Sequence, residues 1–201
     1  MNRSIGALEE RLTTLPYRSI VAIAGAPGSG KSTLAERLVE TQEDAALLPM
    51  DGFHFDDAVL TARDRLLWKG APDTFDVAGL RVMLRRLSEK EDNVAVPVFD
   101  RRLEVSRGAA RIISSRARLI VVEGNYLLLD RTPWQSLAPF FALTVMLDVP
   151  ENELRRRLTD RWQTFGLTEA EIAHKLDGND LPNGRTVRDE SRPADMVIRH
   201  S

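Results

Sequence analysis

The sequence predicts an α/β fold with a mainly parallel sheet, on three observations. Short β-rich apolar runs recur along the chain, segments of helical period stand between them, and the first run leads through a glycine-rich turn straight into a helix. Composition permits such a fold. The 201 residues are 43% hydrophobic and 29% charged, enough for one domain with a sizeable core and too apolar for a disordered chain.

Ile5, Leu8, Leu12 and Leu15 recur at helical spacing and predict a short amphipathic helix ending near Pro16. Ile20 to Ala24 reads as a buried strand, and Lys31 to Thr41 as a helix with Leu34, Leu38 and Val39 on one face. Ala45 to Met50 is a second strand, which Pro49 assigns to a sheet edge. Residues 51 to 76 read as polar, aromatic and irregular. Val77 to Leu87 predicts a helix, and Val94 to Phe99 a strand interrupted by Pro97. Leu119 to Val122 and Leu143 to Val149 are further strands. Glu151 to Trp162 and Thr168 to Leu176 are helical, and Met196 to Ile198 is a last short strand.

The charge balance excludes several classes. Twenty-eight basic against 30 acidic residues give a net charge of −2, without the basic excess of a strong nucleic-acid binder. With no cysteine there is no disulfide, thiolate catalysis or Cys-based zinc site, and a reducing compartment suits the chain. No targeting segment and no membrane-length apolar window is visible, so the expectation is a cytoplasmic protein with no membrane and no nucleic-acid partner. The basic residues comprise 24 Arg and only 4 Lys, so a Lys inside a sharp motif stands out.

One such motif exists. Gly25-Ala26-Pro27-Gly28-Ser29-Gly30-Lys31-Ser32 fits G-x-x-x-x-G-K-[ST] between a predicted strand and a predicted helix. About 0.002 chance matches are expected in a chain of this composition. Glycines let the loop's amides converge on a phosphate, and the helix N-terminus adds partial positive charge. Lys31 would reach the β- and γ-phosphates, Ser32 would ligate Mg²⁺, and Thr33 could contact the α-phosphate. The cofactor expectation is therefore ATP with Mg²⁺.

A GTPase would need N-K-x-D, and no Asn here precedes Lys. Asp76-Val77-Ala78-Gly79 spells D-x-x-G, but its position before a helix makes Asp76 an N-cap. A kinase needs a carboxylate near the acceptor hydroxyl, a second near the metal, and cations over the γ-phosphate. Asp51, in Met50-Asp51-Gly52-Phe53-His54 at a strand's end, supplies the first and also stands among the metal-facing groups. Glu123, ending Leu119-Ile120-Val121-Val122, supplies the second. Arg157 and Arg161 form one stripe beside the apolar Leu154, Leu158 and Trp162. They would clamp phosphate, or pair on a solvated face through Glu153 and Arg157. His54 also reads as a packed ring between Phe53 and Phe55. His174 and His200 read as surface residues, and Trp68 and Trp134 as core or rim.

Four strings in order, Met50 to His54, Lys69-Gly70-Ala71-Pro72-Asp73-Thr74-Phe75-Asp76, Val96-Pro97-Val98-Phe99-Asp100-Arg101, and Val122-Glu123-Gly124-Asn125-Tyr126-Leu127-Leu128-Leu129, resemble the uridine kinase, phosphoribulokinase and bacterial pantothenate kinase superfamily. Glu123 to Leu129 and Asn179-Asp180-Leu181-Pro182-Asn183-Gly184 are most similar to its bacterial fructose transport-system kinases. The resemblance implies a three-layer, NMP-kinase-like P-loop fold with a five-stranded parallel sheet of order 2-3-1-4-5 and a helical lid. It implies ATP as donor, a small hydroxyl-bearing acceptor and often a homodimer. Asp51 then looks like the catalytic carboxylate and Arg155 to Arg161 like the lid arginines. His54, Asp73, Phe99, Asp100 and Arg101 fall where the family lines its acceptor pocket. The chain then reads as one domain, 1–201, with an acceptor insert at about 51–115 and a lid at about 151–167. Where uridine kinases carry a base-reading His, this chain has the region of Glu104, which turns the expectation away from uridine toward an anionic or polyol acceptor. A nucleoside or pantothenate kinase and an ATP-hydrolysing, transport-linked switch stand as the alternatives.

Overall fold

The structure is a computed structural model and describes residues 2–199, so His200 lies outside the described residues. Helix α1 spans Asn2–Thr13, followed by strand β1 (Ser19–Gly25), helix α2 (Lys31–Thr41) and strand β2 (Ala45–Pro49). A 3₁₀ turn over Met50–Phe53 leads into helix α3 (Asp57–Ala62), two more 3₁₀ turns and helix α4 (Val77–Ser88). Strands β3 (Val94–Asp100), β4 (Val105–Ile113) and β5 (Leu119–Gly124) come next, then a 3₁₀ stretch over Trp134–Phe140 and strand β6 (Leu143–Asp148). Helices α5 (Glu151–Thr164) and α6 (Glu169–Lys175), a π-helical turn over Leu176–Asp180, helix α7 (Leu181–Glu190) and strand β7 (Met196–Arg199) complete the described chain.

The central sheet is parallel throughout and runs β2-β5-β1-β6-β7. Its numbering differs from the expected 2-3-1-4-5 because β3 and β4 pair with each other in a separate antiparallel ribbon. Every residue of β1 and β5 is buried, which requires the unbroken apolar runs seen in the sequence. Alternate side chains feed two cores. Ile20, Ala22, Ile120 and Val122 join Leu80, Leu84 and Leu87 of α4 on one face. Val21, Ile23, Leu119 and Val121 join Leu8 and Leu12 of α1 and Leu34 and Leu38 of α2 on the other. Each fully buried Leu, Ile or Val among them contributes about 1.5–3 kcal/mol.

Local signals end the helices where chemistry requires. Asp76 caps α4, accepting from Gly79 N at 2.8 Å, which settles the D-x-x-G string as structural. Thr168 and Glu171 form a capping box at α6. Pro97 sits where the β3–β4 register shifts between Val96 and Val98, since it cannot donate to a ladder. Pro49 ends β2, an edge strand. In parallel register Pro49 lies beside Glu123, and Ala24 beside Gly124. Three loops, after β1, β2 and β5, thereby open at one sheet edge, where α/β sheets bind ligands. No helix among the described residues is long and apolar enough to cross a membrane.

Candidate active site

The loop after β1 bends through Gly28 and Gly30, whose φ values of 78° and 92° lie in the left-handed region that glycine adopts freely. A Cβ at Gly28 would also stand 3.0 Å from Cγ of Leu158, so α5 packs directly over the loop. Gly30 begins α2 without a side-chain cap, which leaves the helix's first amides to a ligand. Lys31 is buried, with Nζ donating to Ala26 O at 3.0 Å. Burial lowers its pKa, opposed by the charges of Glu123 and Asp51.

Asp51 enters from the turn after β2. Arg101, from the end of the β3–β4 ribbon, pairs with its carboxylate. Burial pushes the Asp51 pKa up, but His54, Arg101 and Lys31 and the Arg101 hydrogen bond outweigh that and hold it below the ordinary carboxylate value. Glu123 faces the loop from β5, and Ser32 Oγ donates to Glu123 Oε1 at 3.2 Å. Burial first, then the nearby Asp51 charge, raises the Glu123 pKa to about 7. A hydroxyl and a carboxylate form a hard oxygen pair that fits Mg²⁺, which takes few protein ligands and fills its shell with water and phosphate.

Glycine permits the close approach of the two acidic loops. A Cβ on Gly124 would collide with Cβ of Met50, the neighbour of Asp51. Gly124→Ala is therefore expected to cost about 1–3 kcal/mol in urea unfolding and to lower turnover as Met50 and Asp51 shift. Retention of both stability and turnover would show that the two loops are not locked together.

These groups face a single cavity of about 410 Å³. Lys31, Ser32 and Thr33 line it on one side, with Arg157 and Arg161 of α5 above and Asp51, His54, Phe99 and Arg101 beyond. Arg157 makes the expected ion pair with Glu153 and also reaches the phosphate loop. Its Nε donates to Glu153 Oε1 at 2.7 Å, while Nη1 donates to Ser29 O at 3.3 Å. Arg155 instead pairs with Asp177 on the surface. Gly25, Ala26 and Ser29 belong to the loop but do not line this cavity, while Pro27, Gly28 and Gly30 do.

Three expectations are corrected. Asp73 points away from the cavity with its side chain 58% exposed, held by Arg65 at 2.7 Å, because the 3₁₀ turn over Pro72–Thr74 turns it outward. Asp100 also stays outside, accepting from the amides of Arg102 and Leu103 as the cap of the ribbon's turn. His54 stacks on Phe75 and Phe99, at ring separations of 4.0 and 4.9 Å, rather than between Phe53 and Phe55. Burial lowers its pKa against the raising effect of Asp51, so it is neutral at pH 7. Trp162 packs against the Leu154 and Leu158 cluster, as its place in the apolar stripe predicts, and also lines the cavity. His174 is exposed, Trp134 is core and Trp68 is rim, as read from the sequence.

The sequence reading assigned no site role to Lys69, Gly70, Phe75 or Asn125, all of which line the cavity. Tyr126 Oη donates to Gly70 O at 2.6 Å and pins that loop. The motif strings containing these residues were the available signal. Beside the loop lies a second cavity of about 300 Å³, walled by Ile5, Thr33, Leu34, Leu147, Val149 and Ile198.

The sequence pattern of a family described as an AAA domain matches residues 21–174. Escherichia coli (strain K12) YggC is 37% identical over 189 residues, covering 90% of this chain and 77% of that protein. A Schizosaccharomyces pombe protein provisionally named uridine kinase C227.14 is 32% identical over 213 residues, covering 98% and 88%. A crystal structure from Silicibacter sp. TM1040, provisionally named a fructose transport system kinase, superposes with a TM-score of 0.91 at 35% identity, covering 96% and 98%. With its phosphate-binding loop, strand-end carboxylates and overhanging arginines on one cavity, the chain belongs to the AAA-domain P-loop family and is an ATP-dependent kinase of the superfamily that contains the uridine and pantothenate kinases.

Proposed function

We propose that the protein transfers the γ-phosphoryl group of ATP to a hydroxyl of a small, polyhydroxylated metabolite, a sugar or sugar-like alcohol. One observation carries this reading: Asp51 and the phosphate-loop Lys31 open onto the same cavity, whose far wall combines the neutral His54 and Phe99 rings with the amide of Asn125. Aromatic faces with convergent hydrogen-bonding groups suit a polar, uncharged acceptor. The name carried by the Silicibacter relative supports a sugar.

In this reading residues 25–33 cradle the phosphates, and the smaller apolar cavity takes the purine base. Residues 51–115 form the acceptor insert and 151–167 the lid of one domain. Asp51 orients the acceptor hydroxyl and takes its proton as the oxygen attacks the γ-phosphorus. The bond to the β-phosphate oxygen breaks, and ADP leaves with that electron pair. Lys31, Arg157 and Arg161 stabilise charge on the transferring group. Ser32 and Glu123 would hold Mg²⁺, with Asp51 nearby, and the ion would supply charge neutralisation to the phosphates. Held near 3 Å from its target, an oriented hydroxyl needs little covalent help.

The test is direct detection of phosphorylated product by phosphorus NMR after incubation with Mg·ATP and D-fructose, other hexoses and polyols, uridine, or pantothenate. Phosphorylation of a sugar or polyol is expected. Exclusive phosphorylation of uridine or pantothenate moves the acceptor class, and ATP hydrolysis indifferent to every compound makes the protein a switch.

A further inference from the structure

Between α6 and α7 the chain makes a π-helical turn over Leu176–Asp180. Such turns insert one extra residue, weaken helical hydrogen bonding and concentrate at functional sites. Here the turn, which overlaps the start of the Asn179-to-Gly184 string noted in the sequence, brings Asn179 and Asp180, with Asn183 of α7, to the wall of the Asp51 cavity. At Gly184, α7 lies close to the phosphate loop: a Cβ there would just touch Ala26 Cβ, at 3.4 Å.

Asp180 is only 8% exposed and forms no salt bridge within 4 Å among the described residues. Trp162 Nε1 donates to its Oδ2 at 2.7 Å. Asn183 Nδ2 donates to Asn179 Oδ1 at 2.9 Å, and Asn179 Nδ2 to Lys69 O at 3.0 Å. One polar strip thus joins the lid helix, the π turn and the Lys69–Gly70 loop. A buried carboxylate with a single neutral donor is costly unless something else hydrogen-bonds to it. Burial raises its pKa, opposed by the Trp162 bond and by Lys175 and Arg161, the cations that face it.

We infer that Asp180, held by Trp162, is a specificity-determining residue whose second oxygen accepts a hydrogen bond from an acceptor hydroxyl other than the one phosphorylated. The inference rests on the proposed kinase reading. It requires an acceptor with at least two hydroxyls, one at Asp51 and one at Asp180. Trp162 lies on α5 with Arg161, so the same bond ties the lid helix to the π turn.

The experiment compares wild type, Asp180→Asn and Trp162→Phe on the acceptor found in the panel above and on its analogues lacking one hydroxyl each. In the unaltered protein at least one deoxy analogue should lose tenfold or more in kcat/KM, because a site built to bond a hydroxyl rejects its absence. Asp180→Asn should raise the acceptor KM about ten- to a hundredfold, with the KM for ATP within twofold, and that deoxy penalty should collapse. The collapse would not follow from a merely structural role. Wild type that rejects no deoxy analogue, or an Asp180→Asn variant that keeps the full penalty, overturns the inference and leaves the kinase reading intact. Wild type that phosphorylates no compound in the panel overturns both.

Discussion

Asp51→Asn is expected to lower kcat for acceptor phosphorylation about 10²- to 10⁴-fold while leaving the KM for ATP nearly unchanged. The asparagine keeps the shape of the side chain and its fit beside Arg101 and Lys31 but cannot take a proton. The ATP contacts lie on the loop after β1, so binding of the donor should survive. Arg101 and Lys31 keep the Asp51 pKa below the ordinary carboxylate value, so the group is ionised throughout the neutral range. Loss of activity on acidification to pH 5 should therefore not trace to Asp51. A steady-state comparison of the variant across pH checks both points; undiminished turnover would remove Asp51 from the chemistry.

Glu123→Gln should have two effects of opposite sign. Turnover should fall about 10²- to 10³-fold, because the carboxylate proposed to face the metal is gone. The ligand-free protein, by contrast, should become more stable at neutral pH. The folded Glu123 has a pKa of about 7 against 4.5 for an ordinary Glu. Between those values the folded state binds the proton better than the unfolded one, so stability falls as pH rises, by up to about 1.4 kcal/mol per unit. Glutamine mimics the protonated form and escapes this loss. The stability advantage of Glu123→Gln should be near zero below pH 4.5 and reach about 3 kcal/mol above pH 7. Urea unfolding at pH 4.5, 6 and 7.5, with metal and nucleotide removed, measures it; an advantage independent of pH would mean that Glu123 is not held protonated. Such a cost is the usual signature of function placed ahead of stability.

The sheet was largely legible because its signal is local. β1 and β5 are unbroken apolar runs, and α2 begins where Lys31 follows the last glycine of the loop. What escaped depends on distant partners. β4 is exposed over Arg107–Ala110 and shows no apolar alternation. α7 begins Leu-Pro and contains Asn183-Gly184, which reads as a turn; yet the segment is helical, with Leu181, Asn183, Gly184 and Val187 buried.

The site divides along the same line. Asp51 and Glu123 stand at or just past strand ends and Lys31 and Ser32 open α2, where direction follows from topology, and all four line the cavity as the sequence predicts. Asp73 and Asp100 share motif strings with true cavity residues, but tight turns aim them at Arg65 and at backbone amides. Phe75, two residues after Asp73, lines the cavity instead. Motif membership gives proximity to a site; only the backbone decides which side chain enters it.

Calorimetric titration of Mg·ATP into the wild-type protein and into Lys31→Ala bears most directly on the phosphate loop as the seat of the activity. Saturable one-to-one binding by the wild type, weakened at least tenfold without the ammonium group, is the expected result. Equal affinity in the two proteins, or no uptake by either, would contradict the account.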